Sequence, residues 1–112
     1  MDIFRTAVYK KWYRKLKDIR AKALIRMRIS RLEDGNPGDC GPIGENCSEM
    51  RIHYGPGYRV YFKEICFQDT GKEIVILLCG GDKSTQQADI ARAKELAALP
   101  IEEEEDGNTE SE

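Results

Sequence analysis

Residues 48–64 read SEMRIHYGPGYRVYFKE. On either side of Gly55-Pro56-Gly57 the apolar residues recur with period 2, the repeat of a strand with one face buried. Pairing Tyr54 with Tyr58 across a three-residue turn sets Ile52 opposite Val60 and Met50 opposite Phe62, on one apolar side. The same register sets His53 opposite Arg59, Arg51 opposite Tyr61 and Glu49 opposite Lys63 on the polar side. Opposed residues share a face, so one register sorts every pair. The segment predicts a β-hairpin with one face for the core and one rich in cations and aromatics.

Downstream, QDTGK is a second turn, and EIVILLC (73–79) is a continuous apolar run of strand length. Such a strand is expected to be buried on both faces, in the middle of the sheet. GGDKST follows; Gly80–Gly81 reads as a tight exit turn, and Ser84 stands at capping-box spacing from Gln87. A last helix over about 85–99 carries Ile90, Ala93, Leu96 and Ala97 inward.

Upstream, residues 2–5 suit a short edge strand. Thr6 is an N-cap residue, and Tyr9, Trp12, Tyr13 and Leu16 fall at i, i+3, i+4, i+7 of an amphipathic helix. Ala21, Leu24, Ile25, Ile29 and Leu32 mark a second helix over 19–33, joined to the first as a helical hairpin or by a bend near Asp18. EDGNPGDCGPIGEN (33–46) is rich in Gly, Pro and Asn and reads as loop. The expected fold is α+β. Two N-terminal helices and a C-terminal helix pack on one side of a small, mainly antiparallel sheet, a three-stranded meander plus the short first strand.

The chain has 112 residues, room for one domain, and a formal net charge of −2. That total conceals two opposite parts. Residues 101–112, IEEEEDGNTESE, hold seven acids and no base and read as a disordered acidic tail. Residues 1–100 hold 18 bases against 13 acids, a net of +5, and residues 1–31 alone carry eleven bases against two acids. The division is a domain over 1–100 followed by the tail. No apolar run approaches the roughly 18 residues of a membrane span, and the N-terminus lacks a signal-peptide apolar region. Neither a membrane protein nor a Sec-exported one is expected. Cys40, Cys47, Cys66 and Cys79 follow no zinc-site spacing and His53 is the sole histidine, so reduced cytoplasmic thiols are expected, with no metal.

Lys22 and Arg26 lie off the apolar stripe of the second helix, where cations suit phosphate contacts with RNA or the ribosome. An ordinary solvated face, or one covered by an acidic protein, is the alternative. On the hairpin, His53, Arg51, Arg59, Tyr61 and Lys63 converge. Cleaving RNA requires taking a proton from the 2′-OH, stabilising a pentacoordinate phosphorane and protonating the leaving 5′-oxygen. Arg and Lys supply charge, His exchanges protons near neutral pH, and Tyr stacks on or orients a nucleotide. The bland alternative is a solvent face of cross-strand polar pairs. GGDKST lacks the Walker pattern, but its position brings Lys83 near one end of the hairpin face.

Three segments together, EMRIHYGPGYRVYF, ILLCGGDKSTQQADIARAKEL and RLEDGNPGDCGPIGE, closely resemble the phage-derived, HigB-like branch of the RelE/ParE toxin superfamily, whose members are often labelled addiction module killer proteins. The likeness runs from about Ile3 to Leu99. It implies a microbial-ribonuclease-like α+β fold and the toxin of a type II toxin–antitoxin module. It also implies neutralisation by an antitoxin, often of helix-turn-helix type, through which the complex binds operator DNA. Many RelE-like members cleave mRNA in the ribosomal A site without metal or cofactor. By this resemblance Arg59 in GPGYR matches the strand arginine that contacts the scissile phosphate, and Lys83 in GGDK matches the basic residue after the last strand. His53 and Tyr61 join them from the hairpin geometry. Two departures stand out: residues 84–112 contain no Tyr where RelE enzymes use a C-terminal one, and the acidic tail lies outside the family core. The alternatives are therefore a ParE-like inhibitor of DNA gyrase and a degenerate, non-toxic binding module. For the tail, an electrostatic brake that mimics nucleic acid stands beside a merely solubilising terminus.

Overall fold

The structure, a computed structural model, describes residues 1–99; the acidic tail expected at 101–112 lies outside them. The chain runs β1 (Asp2–Arg5), α1 (Ala7–Lys15), α2 (Ile19–Glu33), β2 (Cys40–Gly44), β3 (Cys47–Ile52), β4 (Tyr58–Phe67), β5 (Lys72–Asp82), a 3-10 turn (Lys83–Thr85) and α3 (Gln86–Ala98). The fold is α+β, three helices on one five-stranded sheet of order β1-β5-β4-β3-β2. β2 to β5 form an antiparallel meander, and β1 joins the edge parallel to β5, with Asp2 beside Ile74 and Arg5 beside Leu77.

Local chemistry sets the helix boundaries. Thr6 is extended, and its hydroxyl accepts from Tyr9 N (3.0 Å) while donating to Leu78 O (2.6 Å), so one side chain starts α1 and pins it to β5. Leu16 ends α1 in an extended conformation, and Asp18 caps α2 by accepting from Arg20 N and Ala21 N. The expected bend near Asp18 is this junction.

The sheet is covered on both faces, which corrects the expectation of helices on one side. Tyr9, Tyr13, Ile25, Ile29 and Leu32 of α1 and α2 pack on Met50, Ile52, Val60, Phe62, Val75 and Leu77. On the other face Ala93 of α3, with Ile90, Leu96 and Ala97 around it, packs on Cys47, Tyr61, Ile76, Leu78 and Cys79. β5 supplies both cores because alternate residues point to opposite faces. A bulge opposite Tyr61 and Phe62, which pair with Cys79 and Leu77, turns Leu78 and Cys79 to the same side.

Four further corrections concern the strands. The hairpin register is shifted by two residues: Ile52 pairs with Tyr58, Met50 with Val60, Arg51 with Arg59 and Glu49 with Tyr61. An even shift leaves every side chain on its expected face but lengthens the turn to residues 53–57. Part of the expected 33–46 loop is strand β2, joined to β3 by Glu45 (φ 55) and Asn46 (φ 64), both left-handed as a two-residue primed turn requires. Pro42, with no N–H to donate, is tolerated because β2 is an edge. Gly80–Gly81 is not an exit turn but the end of β5. A Cβ on Gly80 would lie 2.3 Å from the Trp12 ring, so α1 approaches there only because that atom is absent. The cap before α3 belongs to Asp82 and Thr85 rather than Ser84 and Gln87: Asp82 accepts from Ser84 N at 2.8 Å, and Thr85 Oγ1 accepts from Asp82 N at 3.4 Å.

Candidate active site

The hairpin tip and the end of β5 meet because Tyr58 pairs with Asp82 and Arg59 with Gly81. Lys83, the next residue, then lies beside the tip and is exposed. Arg59 Nη1 and Lys83 Cβ both approach Gly57, where a Cβ would lie an ordinary 3.5 Å from each; it is the φ of +80 that favours glycine there. Arg59 Nη1 donates back to Gly57 O (3.2 Å) and Tyr58 O (3.4 Å). Arg59 is only 8% exposed.

Behind Arg59 lies a group the sequence did not single out for a role. Glu49, 3% exposed, accepts from Tyr61 Oη (3.2 Å) and Gln86 Nε2 (2.7 Å), and Arg51 Nε approaches it at 3.2 Å. Arg59 Nε stands 3.8 Å from Glu49 Oε2 and, though buried, has no hydrogen-bond partner among the described residues. Two arginines and two neutral donors thus surround one buried carboxylate, which such a site requires. The expected open face is therefore covered, with Gln86 of α3 reaching across it. Tyr61, expected at the catalytic centre, is fully buried, and burial and the Glu49 charge push its hydroxyl well above the ordinary tyrosine value. It neither meets solvent nor ionises near neutral pH.

His53 is also displaced from its expected place. The longer turn puts it outside β3, where Nε2 donates to Asp39 Oδ2 at 2.5 Å. Arg51 Nη1 donates to Asp39 Oδ1 at 2.9 Å, so Asp39 links the exposed His53 to the Arg51–Glu49 pair. The His53 hydrogen bond, then that of Arg51, holds the Asp39 carboxyl below the usual carboxylate range. The 37–39 segment is tied down by Arg28, which donates to Pro37 O and Asp39 O, both at 3.2 Å, and to Arg51 O. On the far side of the tip Tyr54 Oη donates to Asp18 Oδ2 at 2.9 Å.

The remaining cations expected at an RNA face are placed elsewhere. Lys63 donates to Ala97 O (3.2 Å), closing the C-terminus of α3. Lys22 lies 5.1 Å over the Tyr13 ring on α2, on the opposite side of the sheet from Glu49 and Tyr61, and Arg26 is exposed on the same helix. The structure thus sets Arg59 and Lys83 beside Gly57, links Arg51 to Arg59 through Glu49, and holds His53 to Asp39 on the β2 side; Lys63 and Lys22 contact other parts of the fold, and Arg26 is exposed on α2. Glu49, Asp39 and Gln86 were missed. Glu49 alone had a signal, sharing by period 2 the face of Arg51 and Arg59.

Two of the four thiols, Cys47 and Cys79, are buried. Burial pushes Cys47 up and Cys79 to about 12. Among the described residues no cluster of three or more His, Cys, Asp or Glu could hold a metal ion, and no helix is long and apolar enough to cross a membrane.

The chain is 48% identical over 97 residues to an uncharacterized protein of Haemophilus influenzae, a match spanning 87% of this chain and 93% of the relative. It belongs to the family of that protein. No family model and no solved structure matches it.

Proposed function

We propose that the protein is the toxin of a type II toxin–antitoxin module. In this reading it is a cytoplasmic, metal-independent endoribonuclease that cuts mRNA on the ribosome and is neutralised by a cognate antitoxin. The approach of the Arg59 guanidinium and the Lys83 side-chain stem to Gly57 supports it, because two basic residues flanking one glycine can bring positive charge to a phosphate in transit to a pentacoordinate state. His53, exposed at the same tip and oriented by Asp39, is the group able to take the 2′-OH proton. The antitoxin, of helix-turn-helix type, carries any operator binding.

Primer-extension mapping after induction tests this: new mRNA 5′ ends are expected with translation arrest, and unaffected translation without new ends overturns it. Lys83→Ala is the clean variant, since Lys83 is exposed and supports nothing in the core. Cleavage should fall about 10²–10³-fold while the unfolding midpoint holds. Arg59→Ala should lose toxicity and stability together.

A second reading, a ParE-like poison of DNA gyrase, is favoured by one observation. Tyr61 is buried, Tyr54 is bonded to Asp18, and so neither hydroxyl is free to protonate a leaving 5′-oxygen. Replication arrest with intact mRNA would select it.

A further inference from the structure

Between α1 and α3 runs an open groove of about 450 Å³ lined by Ala7, Val8, Trp12, Lys11, Lys15 and Arg92. The lining is an apolar strip beside three cations. Lys11, Lys15 and Arg92 are exposed, and the ion pairs among the described residues engage none of them. Like charges gathered beside an apolar surface repel one another, and an anionic occupant with an apolar end relieves both defects at once.

The sequence supplies such an occupant from the same chain. α3 ends at Ala98, Leu99 is 58% exposed, and the residues beyond read Pro100, Ile101 and then Glu102–Asp106. The order of the segment, apolar then acidic, matches the chemistry of the groove. The reach is short. Arg92 lies six residues back along α3, roughly 9 Å at 1.5 Å per residue. Extended chain covers that in about three residues.

We propose that residues 101–112 dock in this groove, Ile101 against Ala7, Val8 and Trp12, and the Glu102–Asp106 run against Lys11, Lys15 and Arg92. Each exposed ion pair is weak alone, but a short tether holds the segment at high effective concentration. The contact is electrostatic, and salt releases it. It does not depend on the protein being a ribonuclease.

Trp12 is the only tryptophan, so its fluorescence reports on the groove. Acrylamide quenching is measured on the full chain and on a full-length variant carrying Glu102→Gln, Glu103→Gln, Glu104→Gln, Glu105→Gln and Asp106→Asn. The wild-type Trp12 should be protected at low salt, and the variant should lose that protection. About 1 M salt, where the screening length is near 3 Å, should bring the wild type to the variant's level and leave the variant unmoved. Lys11→Glu with Lys15→Glu and Arg92→Glu should abolish protection, and adding Glu102→Lys, Glu103→Lys and Glu104→Lys should restore it. Equal quenching of wild type and neutralised variant overturns the proposal. So does protection that disappears on dilution, which assigns the groove to the tail of a second copy. Protection of Trp12 by a short RNA oligonucleotide, with no effect of tail neutralisation, assigns it to nucleic acid and likewise overturns it.

Discussion

Glu49 is buried in the sheet, where Tyr61 and Gln86 donate to it and Arg51 pairs with it. Removing the carboxylate leaves the buried Arg59 without its counter-charge, while Arg51 keeps Asp39. Glu49→Ala should therefore cost about 3–5 kcal/mol, read as a lower urea midpoint. Tyr61→Phe removes one donor to a charged acceptor, about 1.5–3 kcal/mol, and should leave growth arrest intact if Tyr61 touches no substrate. Asp39 responds to pH instead. Its folded carboxyl is held low, so its contribution is present above the ordinary value near 3.9 and is lost as pH falls through the lowered one. An NMR titration should find Asp39 titrating below that ordinary value in the wild type and moving up towards it in His53→Ala. The period-2 pattern set Glu49, Arg51 and Arg59 on one face. Whether that face is open or closed depends on where α3 lies, and no repeat within a hairpin carries that information.

At the scale of elements, α2 was legible to its ends, since Asp18 and the apolar stripe act within one helix. The hairpin faces were legible and its register was not, because a shift of two preserves the pattern and only the turn geometry at His53–Gly57 decides between them. Strand β5 was legible as buried on both faces, since IVILLC (74–79) is apolar at every position; that burial is at odds with helices on one side only, and α3 supplies the second cover. β2 was hidden by its composition. Gly41, Pro42 and Gly44, with the left-handed turn residues Glu45 and Asn46 after them, read as loop until β3 offers β2 a partner. The glycines of β5 give a test at this scale. In Gly80→Ala the new methyl meets the rigid indole of Trp12, and overpacking should cost about 1–3 kcal/mol. At Gly41 the same change meets the end of the flexible Arg51 side chain, 2.6 Å away, which swings aside. Thermal unfolding of the two alanine variants should separate them clearly.

For the whole molecule, the formal charge of −2 described no part of it. The basic body, split from the tail by sequence alone, carries both the Arg59–Lys83 pair and the groove that suits an acidic segment. The register of β4 on β5 sets Arg59 and Lys83, both expected at the site from sequence, beside Gly57. The closure of the sheet has a consequence in time. Thr6 is bound to Leu78, and β1 pairs with β5 some 70 residues along the chain, as in Asp2 with Ile74. The N-terminal segment is made first and seated last, so loop closure over most of the chain must precede a stable core. A chain ending at Thr70 should lack dispersed amide resonances and be cleaved rapidly by protease. In the cell the nascent polypeptide stays unassembled until translation has passed β5, so no folded copy exists while the ribosome is still making the first four strands.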